Sequence, residues 1–120
     1  MALTLQMINL DCADVAGQAS FWSKALGVPV DDNDGNAFMR TIGYADPALP
    51  RMMFLAVPEG KTGKNRMHLD LVADDRAAEV ARLAALGATT VREHDEWGIR
   101  WTVLQDPEGN EFCVAEAAGH

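Results

Sequence analysis

The sequence contains an internal repeat, because Ala25-Leu26-Gly27 recurs sixty positions later as Ala85-Leu86-Gly87. Each copy closes a stretch whose apolar residues have helical spacing. Each stretch follows a short strand-like segment that contains Leu-Asp, at Leu10-Asp11 and at Leu69-Asp70. A recurrence of this length is typical of one supersecondary unit that is used more than once. The repeat therefore predicts two copies of a strand–helix–strands module.

Length and composition restrict the class of protein. The chain has 120 residues, of which 48% are hydrophobic and 23% charged, as in ordinary globular proteins. We predict a single domain, residues 1–120, made of repeats at about 1–60 and 61–120. The formal net charge of −8 opposes binding to nucleic acid or to an anionic membrane surface.

The longest apolar run, Met52–Val57, is too short to cross a bilayer. Two cysteines far apart in sequence and no signal-peptide pattern lead us to expect reduced thiols and a cytoplasmic location.

The helices have recognisable ends. Asp14 can cap the start of the first helix, and Gly27 suits the left-handed position after its end. The second helix should start near Asp74 or Asp75 and end at Gly87. We expect its buried side to hold Ala77, Val80, Leu83 and Ala84, and Arg76, Glu79 and Arg82 to face water.

Strands fill most of the remaining sequence. The predicted segments are Thr4–Asp11, Met52–Val57, Met67–Val72, Trp97–Leu104 and Glu111–Ala115. Residues 106–109, Asp-Pro-Glu-Gly, have the composition of a tight turn between the last two. Residues 31–36 and 58–65 are predicted to be polar loops, and Glu93–Glu96 a solvated turn.

Three segments in this order resemble a known family. They are Phe21-Trp22 followed by Leu26-Gly27, then Arg66–Leu71, then Asp106–Phe112. Together with the repeat, they resemble the glyoxalase-like branch of the vicinal-oxygen-chelate family, which contains glyoxalase I, bleomycin-resistance proteins and extradiol dioxygenases. The resemblance implies an α+β fold of two βαβββ modules, whose curled mixed sheets surround a cavity, and a homodimer.

The resemblance also implies positions for metal ligands, from the first and last strand of each module. His68 stands at one such position, but Met7 stands at the matching position of the first module, and a thioether is a poor ligand for hard cations. Cys113 replaces the usual carboxylate of the last strand. Met52–Val57 contains no His, Gln or carboxylate. We therefore expect no metal and no other cofactor.

The remaining candidate residues have both a functional and a structural interpretation. Asp70 shares a strand face with His68 and either orients its imidazole or binds backbone N–H groups. Asn9 and Asp11 follow Met7 at strand spacing, and Asp11 can alternatively cap the turn before the helix.

Trp101 can stack on a planar ligand or pack in a core or interface. Lys64 and Arg66 can hold an anionic group or belong to a solvated loop. Cys113 can be a nucleophile or a buried structural thiol. Phe54 and Glu111 complete the candidate ligand contacts.

Three function classes remain open. The first is metal-independent binding of a small molecule in the cavity, as in bleomycin-resistance proteins. The second is a lyase, isomerase or hydrolase that uses His68 with Asp70 or Asp11. The third is a non-catalytic accessory module. The sequence favours the first class, because it retains one family-type ligand together with polar and aromatic candidates.

Overall fold

The computed structural model describes residues 3–32 and 36–116. The chain divides into two compact units, Met1–Gly60 and Lys61–His120. The boundary between them falls where the internal repeat divides the sequence. Whether the two units form one domain stays a prediction.

The first unit contains one helix and a three-stranded sheet. In chain order the elements are β1 (Ile8–Cys12), α1 (Val15–Leu26), β2 (Met39–Ile42) and β3 (Met52–Ala56). The strand order in the sheet is β1-β3-β2, with β1 parallel and β2 antiparallel to the central β3. An isolated bridge from Val30 to Ile42 extends the outer side of β2, where the second unit has a complete strand.

The second unit repeats this arrangement with one helix and four strands. In chain order the elements are β4 (Leu69–Ala73), α2 (Arg76–Leu86), β5 (Thr89–Glu96), β6 (Ile99–Gln105) and β7 (Glu111–Glu116). The strand order in the sheet is β4-β7-β6-β5. β4 is parallel to β7, and the other neighbours are antiparallel. This confirms the predicted α+β class of two related modules with mixed sheets, in which a single bridge replaces one strand of the first module.

The predicted helix ends are confirmed. The Asp14 carboxylate accepts from the Gly17 N–H at 3.1 Å, and Asp75 accepts from the Ala78 N–H at the same distance. Gly27 follows α1 with a φ of 67° and a backbone bond to the Ser23 carbonyl. A residue with a Cβ would be strained in this left-handed conformation. Neither described helix is long and apolar enough to cross a membrane.

Two predictions about the faces of α2 were wrong. Arg76 was expected to face water, but it is only 7% exposed, whereas Ala77 and Ala84 are exposed. The guanidinium is buried because it bonds to three strands at once: to Glu93 at 3.0 Å, Thr102 at 2.7 Å and Glu116 at 3.3 Å.

The expected turn at 93–96 is the end of β5, a strand missed because its polar composition does not alternate with apolar residues. A second missed strand, β2, contains only four residues. The predicted loop at 58–65 contains no helix or strand. Three residues of the predicted loop at 31–36, residues 33–35, lie outside the described ones.

The turn between β6 and β7 has a specific structural cause. The Asp106 carboxylate is buried and accepts from the backbone N–H groups of Glu108 at 3.0 Å and Asn110 at 2.9 Å. The Asn110 side-chain amide donates to the same carboxylate at 3.0 Å. Gly109 has a φ of 89°, which a β-carbon would disfavour. The residues of the Asp-Pro-Glu-Gly-Asn segment therefore have a structural role, which is to form the turn between β6 and β7.

Candidate functional site

The two faces of the second sheet have different chemical character. The face toward α2 carries the buried Leu104, Phe112 and Val114, together with the three side chains that bind Arg76. Strand alternation directs the intervening residues to the opposite face, which no described helix of this unit covers. By the strand registers, this face, named the open face below, carries Asp70, Arg92, His94, Trp101, Val103 and Cys113. Of these six, Val103 is buried. Several of these side chains can donate or accept hydrogen bonds, and the apolar core does not need them.

Asp70 and Cys113 form the central pair of the open face. They are register partners on the parallel strands β4 and β7. Burial of the thiol raises the pKa of Cys113, and the charge of Asp70 and a hydrogen bond to it raise this pKa further. Arg92 opposes the rise and Glu111 adds to it. The thiol is therefore held in its protonated form, which is a poor nucleophile.

An aromatic and cationic row lies across β5 and β6. The His94 and Trp101 rings stack with centroids 4.8 Å apart and planes 18° apart. The Arg92 Nε–H donates to Nε2 of His94 at 3.2 Å, so His94 accepts at Nε2. Trp101 is half-buried, which leaves part of its ring available to a ligand. The open-face position agrees with ligand stacking and with an interface, so the role of Trp101 stays a prediction.

The loop before β4 is fastened to the start of β7. The Asn65 N–H donates to Oε1 of Glu111 at 3.2 Å, and the Glu111 N–H donates to Oδ1 of Asn65 at 3.1 Å. Lys61 lies 4.0 Å from the same carboxylate. Glu111 therefore anchors this loop, while the predicted anion-binding residues Lys64 and Arg66 are exposed.

His68 lies just before β4, two residues from Asp70, and is half-buried. Within the described parts of the chain it has no hydrogen-bond or ion-pair partner. Asp70 instead interacts with Cys113. The structure therefore brings Asp70 and Cys113 together, and among the described residues no hydrogen bond joins His68 to Asp70. The roles of His68 and Asp70 stay predictions.

The predicted contacts of the first unit have different surroundings. Asn9 and Asp11 are exposed on β1. The Tyr44 hydroxyl donates to the sulfur of Met7 at 2.9 Å. Phe54 is completely buried and shares its sheet face with its neighbour Leu10. This burial favours a core role for Phe54, because strand alternation points it away from the face that carries Asn9 and Asp11.

A surface pocket of about 680 Å³ also lies in the first unit. It is formed by the extended segment that precedes β1 and by the segment that leads into β3. Arg51 is its cationic residue, and the Arg51 guanidinium lies 5.0 Å from the centre of the Tyr44 ring. Of the predicted contacts, Met7 alone lines this pocket. The lining residues are Thr4, Leu5, Gln6, Met7, Ile8, Pro47, Leu49, Pro50 and Arg51.

The two related modules are those of the vicinal-oxygen-chelate superfamily. Within it, the chain belongs to the glyoxalase-like domain family, whose model matches residues 7–115. No curated protein matches the chain significantly.

Similar solved structures support the fold. A glyoxalase/bleomycin resistance protein/dioxygenase family enzyme from Burkholderia phytofirmans is 20% identical with a TM-score of 0.73, over 92% of this chain and 95% of that one. The fosfomycin resistance protein FosX from Listeria monocytogenes is 13% identical with a TM-score of 0.76, over 99% and 97%. A glyoxalase-related enzyme from Fulvimarina pelagi is 16% identical with a TM-score of 0.73, over 97% and 89%.

The residues of this chain do not fit the metal that the family implies. The described residues contain no group of three or more His, Cys, Asp or Glu side chains that could hold an ion. Cys113 stands where the family resemblance implies a carboxylate, and a soft sulfur ligand is a poor match for a hard divalent cation. Strand alternation places Met53 and Leu55 of β3 on the same face as Asn9 and Asp11, and neither offers an oxygen or nitrogen. The donor set of the described residues therefore supports no chemical step through a metal.

Sequence reasoning missed two residues of the open face, Arg92 and His94. Both lie in β5. The sequence analysis assigned no structure to the first part of this strand and assigned its last part, Glu93–Glu96, to a turn. A usable signal was Gly98, because a glycine between two strand-like runs indicates a two-residue hairpin. A hairpin centred on residues 97 and 98 places His94 opposite Trp101.

Proposed function

We propose that this protein binds a small molecule on the open face of its second sheet without a metal. The observation that carries the proposal is the combination of Asp70, Cys113 and Trp101 on the face opposite α2. An acceptor, a neutral donor and an aromatic ring suffice to orient an organic ligand. None of the three is required to fill the apolar core.

The neighbouring structures give this proposal context. A FosX structure from Listeria monocytogenes is described as a complex with Mn(II) and 1S,2S-dihydroxypropylphosphonic acid. The fold thus accommodates a small organic ligand in that protein. The donor set of the present chain supports binding by hydrogen bonds and stacking instead of metal coordination. The second class, an enzyme that uses His68 with Asp70 or Asp11, has no favouring observation among the described residues, and the accessory module has none either.

The proposal includes a location and an assembly. Both cysteines are free thiols, which supports the cytoplasm, where thiols stay reduced. We further propose a homodimer, as the family resemblance implies, with a total buried area above ~1,200 Å². Light scattering at micromolar concentration tests the dimer, and the mass of a single chain, 13.0 kDa, would refute it.

The test of binding is a thermal-shift screen of metabolites and antibiotics with a chelator present, followed by calorimetric titration of each hit. We expect Asp70→Asn and His68→Ala to weaken a genuine ligand by at least ~1 kcal/mol, about the value of one hydrogen bond. Their melting temperatures should change little, because Asp70 is exposed and His68 has no described partner.

The matched control is Glu79→Gln, which removes one acidic charge from α2 on the other side of the sheet. It should leave affinity unchanged. Unchanged affinity in both site variants, or binding that requires an added divalent metal, would contradict the proposal.

A further inference from the structure

The tip of the β5–β6 hairpin has an unusual residue for its backbone conformation. Trp97 and Gly98 connect the two strands, with φ values of 55° and 73°. Positive φ at both central positions is the requirement of a type I′ turn, which Asn, Asp and Gly satisfy at low cost. Trp97 is the single non-glycine residue with positive φ in the described ranges 3–32 and 36–116. A bulky side chain at such a position is a conformational outlier, and outliers of this kind cluster at functional sites.

Burial does not compensate for this conformation. Trp97 is 84% exposed, so its ring contributes little of the apolar burial that stabilises a folded chain. By contrast, Trp22 in α1 is 1% exposed and serves the core. The hairpin therefore keeps an indole at its tip that neither the turn geometry nor the core requires.

The exposed indole continues the aromatic row of the open face. The Trp97 and Trp101 ring centres are 6.3 Å apart and their planes differ by 14°. Trp101 stacks in turn on His94. Three nearly parallel rings thus run from the middle of β5 to the hairpin tip, and the outermost ring is open to solvent. A flat surface of this kind suits a planar ring.

Charge defines which planar ring fits. By strand alternation Glu96 lies on the same face as His94 and beside Trp97, so a carboxylate flanks the outer end of the row. Arg92 is at the inner end and bonds to His94. Asp95 and Arg100 alternate to the other face and pair with each other at 3.3 Å. An indole face attracts cations, and the net charge of −8 favours their approach.

We infer that Trp97, Trp101 and Glu96 form a subsite for a planar organic cation at the tip of the β5–β6 hairpin. The cation stacks on the indole of Trp97, and its charge faces the Glu96 carboxylate. The subsite shares Trp101 with the proposed binding site. The inference nevertheless goes beyond the proposed function, because it concerns the hairpin tip, commits to a planar cation and does not use the Asp70–Cys113 pair.

The test is a titration of ¹⁵N-labelled protein with the 1-methylnicotinamide cation, followed through the indole N–H signals of the three tryptophans. We expect saturable shifts at Trp97 and Trp101 and none at Trp22. Neutral nicotinamide has the same ring without the charge and should bind at least about threefold more weakly. Absence of a saturable shift at Trp97, or equal affinity for the cation and the neutral ring, would overturn the inference.

Variants separate the subsite from a structural role of the indole. Trp97→Gly should weaken the cation at least about tenfold and raise the melting temperature, because glycine adopts positive φ without strain. A lower melting temperature, or undiminished binding, would refute the inference. Glu96→Gln should weaken the cation but not nicotinamide, while Glu79→Gln on α2 changes neither. Asp70→Asn should leave this probe unaffected, and loss of probe binding in that variant would assign the binding to the other site.

Discussion

The buried guanidinium of Arg76 should contribute more to stability than any other charged group of α2. It lies at the start of the helix and bonds to side chains of β5, β6 and β7. Replacement with Met removes the charge and keeps most of the side-chain volume. The variant Arg76→Met therefore isolates the polar part of the contribution from the packing part.

The expected cost follows from the exposure of each partner. Thr102 is completely buried and loses a bond to a charged donor, which costs about 1.5–3 kcal/mol. The Glu93 and Glu116 side chains are 64% and 35% exposed, so water replaces the guanidinium there, and each loss is about 0–1 kcal/mol. We expect a total of about 1.5–5 kcal/mol, with most of it from Thr102.

The assay is urea unfolding followed by circular dichroism, because a non-ionic denaturant does not screen the ion pairs. Arg82→Met on the same helix removes an exposed pair with Glu79 and should cost at most ~0.5 kcal/mol. Arg76→Met combined with Thr102→Val replaces both buried partners by apolar groups and should recover most of the loss. Equal stability of Arg76→Met and Arg82→Met, or no recovery in the double variant, would refute this account of Arg76.

Further expected outcomes concern the thiol, the turn and the metal. Asp70→Asn should speed the alkylation of Cys113 by iodoacetamide, because the aspartate raises the pKa of the thiol; an unchanged rate in a mass-spectrometric time course would contradict this. The pKa of Cys113 is higher in the folded chain than in the unfolded chain. The thiol therefore adds its full contribution to folding stability at pH values below the pKa of the unfolded chain. This contribution is lost as the pH rises through the pKa of the folded chain. Urea titrations at alkaline pH should therefore show a smaller loss of stability in Cys113→Ala. Asp106→Ala should cost about 2–3 kcal/mol in the same assay, because two part-buried backbone N–H groups and the Asn110 amide lose their acceptor. Elemental analysis should find no stoichiometric divalent metal, and one equivalent of zinc, nickel, manganese or iron would contradict this.

Much of the fold was predictable because its signals are local. Asp14, Gly27, Asp75 and Gly87 each mark a helix end through contacts within a few residues of themselves, so sequence spacing alone identifies them. The strands β5 and β2 escaped prediction because one is polar and the other short. A polar strand or a short strand forms because it pairs with a neighbouring strand. The spacing of apolar residues along the chain does not show which segments pair.

For the site, the sequence by itself determined which residue types are available. It identified Asp70, Cys113 and Trp101 as candidates, and Met7 led us to expect an incomplete set of the family's metal ligands. Only the tertiary structure decided that Asp70 meets Cys113 and not His68. Asp70 and Cys113 are 43 positions apart in sequence, and β4 and β7 become neighbours only through sheet pairing. The same holds for Arg76, which helical periodicity assigns to water. Its burial depends on three acceptors from three different strands, and no periodicity within a single helix encodes their convergence.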